Sequence, residues 1–315
     1  MIILLMDIVI SLLYFLVLLV CIAVYTLIER KILSKIQRRV GPNIQGIFGI
    51  MQPFLDGIKL LLKENIIPSY ANKYLYLISP MITLGLSFSF WAVIPLSEIS
   101  IISDIDLSVL YIFIVSGLGV YGIICAGWAS NSKYAFLGAL RSAAQMVSYE
   151  VCIGIIVIAV LLCSQDYNLI EIIEVQRFCW LIIPLYPIFF MFIFVILAET
   201  NRSPFDLPEA EAELVSGYNT EYGGMGFALF FIGEYGNIIV MSFLTIIFFV
   251  GGYYICSYIN IIVYYLKVCF MLFLFIWVRA AFPRFRYDQL MRLGWKVFLP
   301  VSISSLVFSS SLFTV

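Results

Sequence analysis

Histidine is absent from this 315-residue chain, and its seven cysteines are scattered, the nearest pair eleven positions apart. Without imidazole there is no bis-imidazole haem site and no histidine proton shuttle. Without C-x-x-C spacing there is no cradle for zinc or an iron–sulfur cluster. Charge is scarce as well: 12% of residues are charged, against 63% hydrophobic. If the protein serves redox chemistry, the electrons travel elsewhere. Any proton handling rests on carboxylates, lysine, tyrosine and water.

What is abundant is long apolar sequence. Runs at 2–28, 74–96, 109–128, 146–163, 178–198, 225–250, 258–282 and 297–315 are each near the length of a membrane helix, about 20 mostly apolar residues. Such unbroken runs do not match the alternating strands of a β-barrel. The expected fold class is therefore an all-α integral membrane protein, with eight transmembrane helices in a single membrane domain over 1–315. The first run lacks a basic n-region and a small-residue cleavage site, so it is read as a retained helix rather than a signal peptide.

Basic residues orient the bundle. Sixteen of the 18 Lys and Arg residues fall in or beside the connectors 29–73, 129–145, 199–224 and 283–294. The positive-inside rule places those connectors in the cytoplasm or the mitochondrial matrix. Of the two basic residues on the other side, Lys267 is expected to snorkel outward without a role of its own. Within the first connector, Ile47–Lys63 spaces Met51, Phe54, Leu55, Ile58, Leu61 and Leu62 as one helix face, with Gln52, Asp56, Lys59 and Lys63 opposite. This pattern predicts an amphipathic helix lying in the membrane interface. It serves either as a surface anchor or as one wall of an entrance for an apolar substrate.

The connector from Glu199 to Glu221 holds six of the 19 acids: Glu199, Asp206, Glu209, Glu211, Glu213 and Glu221, with Arg202 among them. Glu209 and Glu213 share a helix face and repel, Glu211 points away, and Asp206 is placed to cap the segment after it. A fully wet loop would make these ordinary surface charges. Glu234, nine residues after Met225, falls well inside an apolar run, unless its helix starts late and Glu234 merely caps it. Glu150 directly precedes the apolar run 151–163 and is read as lying at a helix start. Ionisable groups in spans are costly, and a row of carboxylates entering a bundle is the pattern of a proton relay.

Several connector motifs resemble a known family. They are Glu29-Arg30-Lys31, Arg39-Val40-Gly41-Pro42-Asn43, the run from Gln52 to Lys59, the run from Glu199 to Glu211, Glu213 to Asn219, Glu221-Tyr222, and Pro283 to Met291. Together they resemble the first membrane subunit of proton-pumping NADH:quinone oxidoreductase, respiratory complex I, over essentially the full chain. That resemblance implies ubiquinone as substrate, reduced in a neighbouring subunit beside an iron–sulfur cluster, with no metal, haem or cluster ligand in this chain. It implies that Arg30, Arg39, Asp56 and the amphipathic helix border the quinone tunnel. Glu199, Arg202, Asp206, Glu209, Glu211 and Glu213 would belong to the loop facing its chamber. Glu29, Glu150, Glu221, Glu234 and Arg279 would belong to a buried charged path towards antiporter-like subunits. Partners would be those membrane subunits, the hydrophilic arm and membrane lipids, with no nucleic acid. Val40 stands where many relatives carry lysine and receives no role. A membrane anchor of an energy-converting hydrogenase and a stand-alone ion transporter remain as alternatives. The expected site is the mitochondrial inner membrane with the main loops facing the matrix, or else a bacterial plasma membrane.

Overall fold

Helix boundaries follow proline, glycine and capping residues more closely than they follow hydropathy. The computed structural model describes residues 2–97, 100–177, 179–206, 217–253 and 260–313. Among them regular structure is helical throughout: α1 (Ile2–Ile36), α2 (Gln52–Leu62), α3 (Lys73–Ser89), α4 (Ser108–Ala129), α5 (Lys133–Ser164), α6 (Leu169–Val175), α7 (Tyr186–Glu199), α8 (Gly224–Phe249), α9 (Asn260–Ala281), α10 (Tyr287–Leu293) and α11 (Leu299–Phe313). Seven helical stretches are long and apolar enough to cross a bilayer, with α10 and α11 joined through a π-helical turn as the last. The 14-residue α7 is a shorter apolar helix. The chain is thus an all-α membrane protein.

Three ends differ from the hydropathy reading, each for a local reason. Helix α1 runs on to Ile36, past the expected end at Ile28, because Glu29-Arg30-Lys31 contains no breaker and Glu29 finds buried partners. Helix α5 begins at Lys133 rather than 146, where Ser132 accepts the N–H of Ala135 as an N-cap. Glu150 therefore sits mid-helix, not at a helix start. Helix α7 begins only at Tyr186, because Pro184 and Pro187 lack N–H donors and fit only the entry to a helix.

The interfacial helix is shorter than the pattern over 47–63. Gly46 (φ 72°) and Gly49 (φ 75°) hold left-handed conformations around a single 3-10 turn, and α2 starts at Gln52 with Pro53 in its first turn. None of its residues is buried within this chain. Phe54, Leu55, Ile58, Leu61 and Leu62 form an exposed apolar face.

Helix α8 is the centre of the bundle: 67% of its spanning stretch is buried, against 22% for α1. Helices in lipid associate through close packing rather than hydrophobic burial, so small residues occupy the crossings. Gly122 of α4 meets Thr83 of α3, Gly127 meets Ala139 of α5, and Gly233 and Gly236 of α8 face Ser87 of α3. At the far end of α8, Gln176 donates to Ile247 O (2.7 Å) and accepts from Gly251 N (2.9 Å). Lys267 donates its Nζ to Val250 O (2.6 Å) and Gly252 O (3.3 Å) with Trp180 beside it. Lys267 therefore closes the C-terminus of α8, where a cation meets the negative end of the helix dipole, rather than snorkelling without a role. The central helix, held in this way, carries Glu234 and Tyr235 in its middle turns.

Candidate functional site

Three segments far from it in sequence converge on Glu29. Its carboxylate, 4% exposed, accepts the phenol proton of Tyr235 at 2.5 Å and a hydrogen bond from Arg279 Nη1. Arg202 Nη1 lies 3.7 Å from the same oxygen as Arg279, and its guanidinium stacks over the Tyr235 ring at 4.4 Å. Tyr25 packs edge-on to Tyr235 at 5.7 Å. A charge this deep persists only when paired and hydrogen-bonded.

Next to this knot is a cavity of about 60 Å³, lined by Glu199, Thr200, Tyr218, Glu234, Asn237 and Ser116 among others. At roughly 10–15 Å³ per water it has room for a few molecules. Glu234 is eleventh in α8, which starts at Gly224, so it is no interfacial cap. It accepts a hydrogen bond from the phenol of Tyr218. Glu199, 5% exposed, has an Oε2 without a hydrogen-bond partner among the described residues, and Asn237 Oδ1 is likewise unpartnered among them. Such orphaned buried acceptors belong beside a hydrated or functional space. Consecutive residues of a helix diverge by about 100°, so α8 sends Glu234 to the cavity and Tyr235 to the knot. The turn after α7 likewise sends Glu199 to the cavity and Arg202 to the knot.

Glu150 lies in a second cavity of about 20 Å³, which adjoins the first along the same face of α4. Ser116 Oγ donates to its Oε1 at 3.0 Å. The carboxylate fits because Gly117 has no side chain: a Cβ there would come within 3.0 Å of the same oxygen.

The turn 198–206 is pinned from α5 and from the loop before α10. Gln145, fully buried, donates its Nε2 to Ala198 O (2.7 Å) and Phe205 O (2.9 Å), bracketing Glu199 and Arg202. The assignment follows from chemistry, since the flipped amide would face two carbonyls with its own oxygen. Asp206 is buried with Arg284 Nη2 at 3.5 Å, Phe285 N donates to Pro204 O (3.0 Å), and the Phe205 and Phe285 rings stack at 5.5 Å. Glu209, Glu211 and Glu213 lie outside the described residues. The turn Gly217–Asn219 packs on Gly138 of α5. There Tyr222 stacks on Tyr76 at 4.1 Å and shares a 2.9 Å hydrogen bond with Ser79. Burial raises the Tyr222 phenol above its ordinary pKa, so it remains a neutral donor.

A third cluster joins α1 to the interfacial helix. Arg30 Nη1 lies 2.6 Å from Asp56 Oδ2, Gln52 donates to Asp56 Oδ1 at 2.9 Å, and Lys31 donates to Phe48 O. Arg39 is exposed and donates locally, to Gln37 Oε1 at 2.8 Å. Glu221 does not line the cavity; its backbone carbonyl accepts the Tyr76 phenol at 2.6 Å. Tyr235, Tyr218, Ser116, Gln145 and Arg284 were not singled out by the sequence. For Tyr235 a signal existed, a phenol adjacent to a membrane carboxylate; a serine or glutamine inside an apolar helix carries none.

With this geometry in view, residues 9–310 match the family model described as NADH dehydrogenase. The chain belongs to the NADH dehydrogenase family. It is 60% identical over 294 residues to NADH-ubiquinone oxidoreductase chain 1 of Chondrus crispus, covering 91% of this chain and 90% of the relative. It is 58% identical to an NADH-quinone oxidoreductase subunit of Rhodospirillum rubrum, over 92% of this chain and 88% of that one. The Arabidopsis thaliana NADH-ubiquinone oxidoreductase chain 1 is 57% identical, over 94% and 93%. Within this NADH dehydrogenase family chain, the carboxylates on which the cavity and the knot are built stand among apolar helices of a multi-pass membrane protein.

Proposed function

We propose that this chain is the membrane subunit of a proton-translocating NADH:quinone oxidoreductase that forms much of the quinone tunnel and couples quinone reduction to proton movement. The names of its relatives supply the enzyme and the quinone substrate. The observation that carries the coupling role is the succession of carboxylates through the bundle: Glu29 in the knot, Glu199 and Glu234 on one cavity, and Glu150 behind Ser116. Ionisable groups at such depth are retained where charge or protons move. Glu199, Arg202 and Asp206 stand at the root of the loop facing the chamber. A change of charge there reaches the knot through Arg202 and the cavity through Glu199.

At the entrance, the exposed apolar face of α2 and the polar Arg30–Asp56 bridge suit a substrate with a polar head and a long isoprenoid tail. Electrons arrive from a cluster held by a partner in the hydrophilic arm, and protons leave through antiporter-like neighbours. The basic connectors face the mitochondrial matrix, with the chain in the inner membrane.

The test uses the assembled enzyme in proteoliposomes. Glu199→Gln and Glu234→Gln should each lower quinone-linked turnover and proton translocation, with NADH oxidation by a hydrophilic artificial acceptor used to normalise for assembled enzyme. Wild-type coupled turnover in both variants would sink the reading.

A further inference from the structure

The cavity beside Glu199 and Glu234 and the cavity beside Glu150 adjoin, and the residues they share decide how a proton passes between them. Ser116 and Met241 line both. Of the two, Ser116 alone carries an exchangeable proton. It is also the source of the one hydrogen bond that Glu150 receives among the described residues. The second cavity is otherwise walled by apolar groups such as Val157, Phe192 and Phe248, so no other polar side chain lining it competes for the Glu150 carboxylate among the described residues.

Ser116 Oγ has two acceptors within reach: Phe113 O at 2.9 Å, one helical turn back, and Glu150 Oε1 at 3.0 Å. A hydroxyl has one proton to give. When Glu150 is ionised, the hydroxyl serves the carboxylate. When Glu150 is protonated, the carboxyl donates to Oγ and the hydroxyl turns back to the helix carbonyl or outward into the first cavity. Back-bonding to the preceding turn is an ordinary serine state, so the two orientations differ little in energy. Gly117 beside it leaves the carboxylate the space to stay in contact.

We propose that Ser116 is the relay hydroxyl through which the Glu199–Glu234 cavity exchanges protons with Glu150. In one transfer the carboxyl of Glu150 gives its proton to Ser116 Oγ as Ser116 releases its own to a water in the first cavity or to the Glu199 carboxylate. One O–H bond breaks and one forms at the serine, and a single proton passes from the second cavity to the first. Rotation of the hydroxyl then resets it. This rests on the reading of the carboxylates as a proton path, and it adds the element that joins the two cavities.

The complete enzyme in proteoliposomes tests it, with Ser116→Ala, Ser116→Thr and Glu150→Gln compared in light and heavy water. Ser116→Ala should slow coupled turnover by roughly three- to tenfold, the weight of one hydrogen bond. The quinone KM should hold and the solvent isotope effect should rise. Ser116→Thr, which keeps the hydroxyl, should restore turnover. If Ser116→Ala pumps as wild type while Glu150→Gln fails, the path stands and Ser116 is not its link. Equal losses in the alanine and threonine variants would show a packing effect and overturn the proposal. Wild-type pumping by Glu150→Gln would instead remove Glu150 from the path itself.

Discussion

Tyr235 of α8 donates its phenol proton to Glu29 of α1 at 2.5 Å, a contact between residues 206 positions apart. The bond ties the central helix to the first one at the point where Arg202 and Arg279 also meet the carboxylate. Because Glu234 and Glu199 are neighbours in sequence of Tyr235 and Arg202, any rearrangement of the knot is felt in the cavity.

Removing the phenol while keeping the ring separates the hydrogen bond from the packing. Tyr235→Phe should lower stability by about 1.5–3 kcal/mol, the range for hydrogen bonds to charged groups. Glu29→Gln removes the carboxylate shared by the buried Arg202 and the partly exposed Arg279, and should cost up to about 3–5 kcal/mol, less whatever water relieves at Arg279. Thermal unfolding of the purified assembly ranks the two. If Tyr235→Phe is the more harmful, the carboxylate is not the centre of the knot.

The eight apolar runs, the interfacial helix and the outlying Glu234 were legible because each is a feature of composition or period. The carboxylate partners were not. Arg202, Tyr235 and Arg279 come to Glu29 through helix packing, and one-dimensional spacing holds no trace of that. Glu150 misled because hydropathy rises only after it, whereas α5 begins 17 residues earlier on a serine cap. Polar, helix-forming residues such as Lys133, Arg141 and Gln145 extend a helix beyond its apolar stretch, and hydropathy cannot see them. Lys267 misled for a related reason: its acceptors are carbonyls just beyond the end of another helix.

Gly217 lies directly against α5. A Cβ on Gly138 would come within 2.7 Å of Gly217 Cα, a backbone atom that cannot rotate away. Gly138→Ala should therefore destabilise by about 1–3 kcal/mol despite the better helix propensity of alanine. Gly154 on the same helix has nothing within 4 Å of such a Cβ. Gly154→Ala should be neutral or stabilising by up to about 1 kcal/mol. Melting of both variants beside wild type checks this, and equal shifts would refute the close approach.

Lys267→Met keeps the aliphatic stem and removes the cation that closes α8. The loss of two carbonyl partners and of a favourable charge at the helix end should lower stability by about 0.5–2 kcal/mol. Coupled turnover per assembled enzyme should stay at wild type, since Lys267 lies at the C-terminal end of α8, away from the carboxylates. A loss of turnover at unchanged melting temperature would contradict its assignment as a helix cap.

Arg30 and Asp56 form a bridge that bears on the proposed substrate entrance. Their side chains are 49% and 35% exposed, so the pair contributes only about 0.2–1 kcal/mol to stability and is weakened by salt. Its effect lies in where it holds α2, whose apolar face flanks the proposed path of the isoprenoid tail. Asp56→Ala should leave the melting temperature nearly unchanged. It should raise the quinone KM by roughly two- to fivefold, which corresponds to about 0.4–1 kcal/mol of binding. The increase should be larger for a long-tailed quinone than for a truncated one, because only the long tail reaches α2. The double exchange Arg30→Asp with Asp56→Arg should recover part of the loss by restoring the bridge with its ends reversed. Equal KM changes for long and short tails would mean that α2 acts on the head group, or on assembly, and does not form the wall that guides the tail.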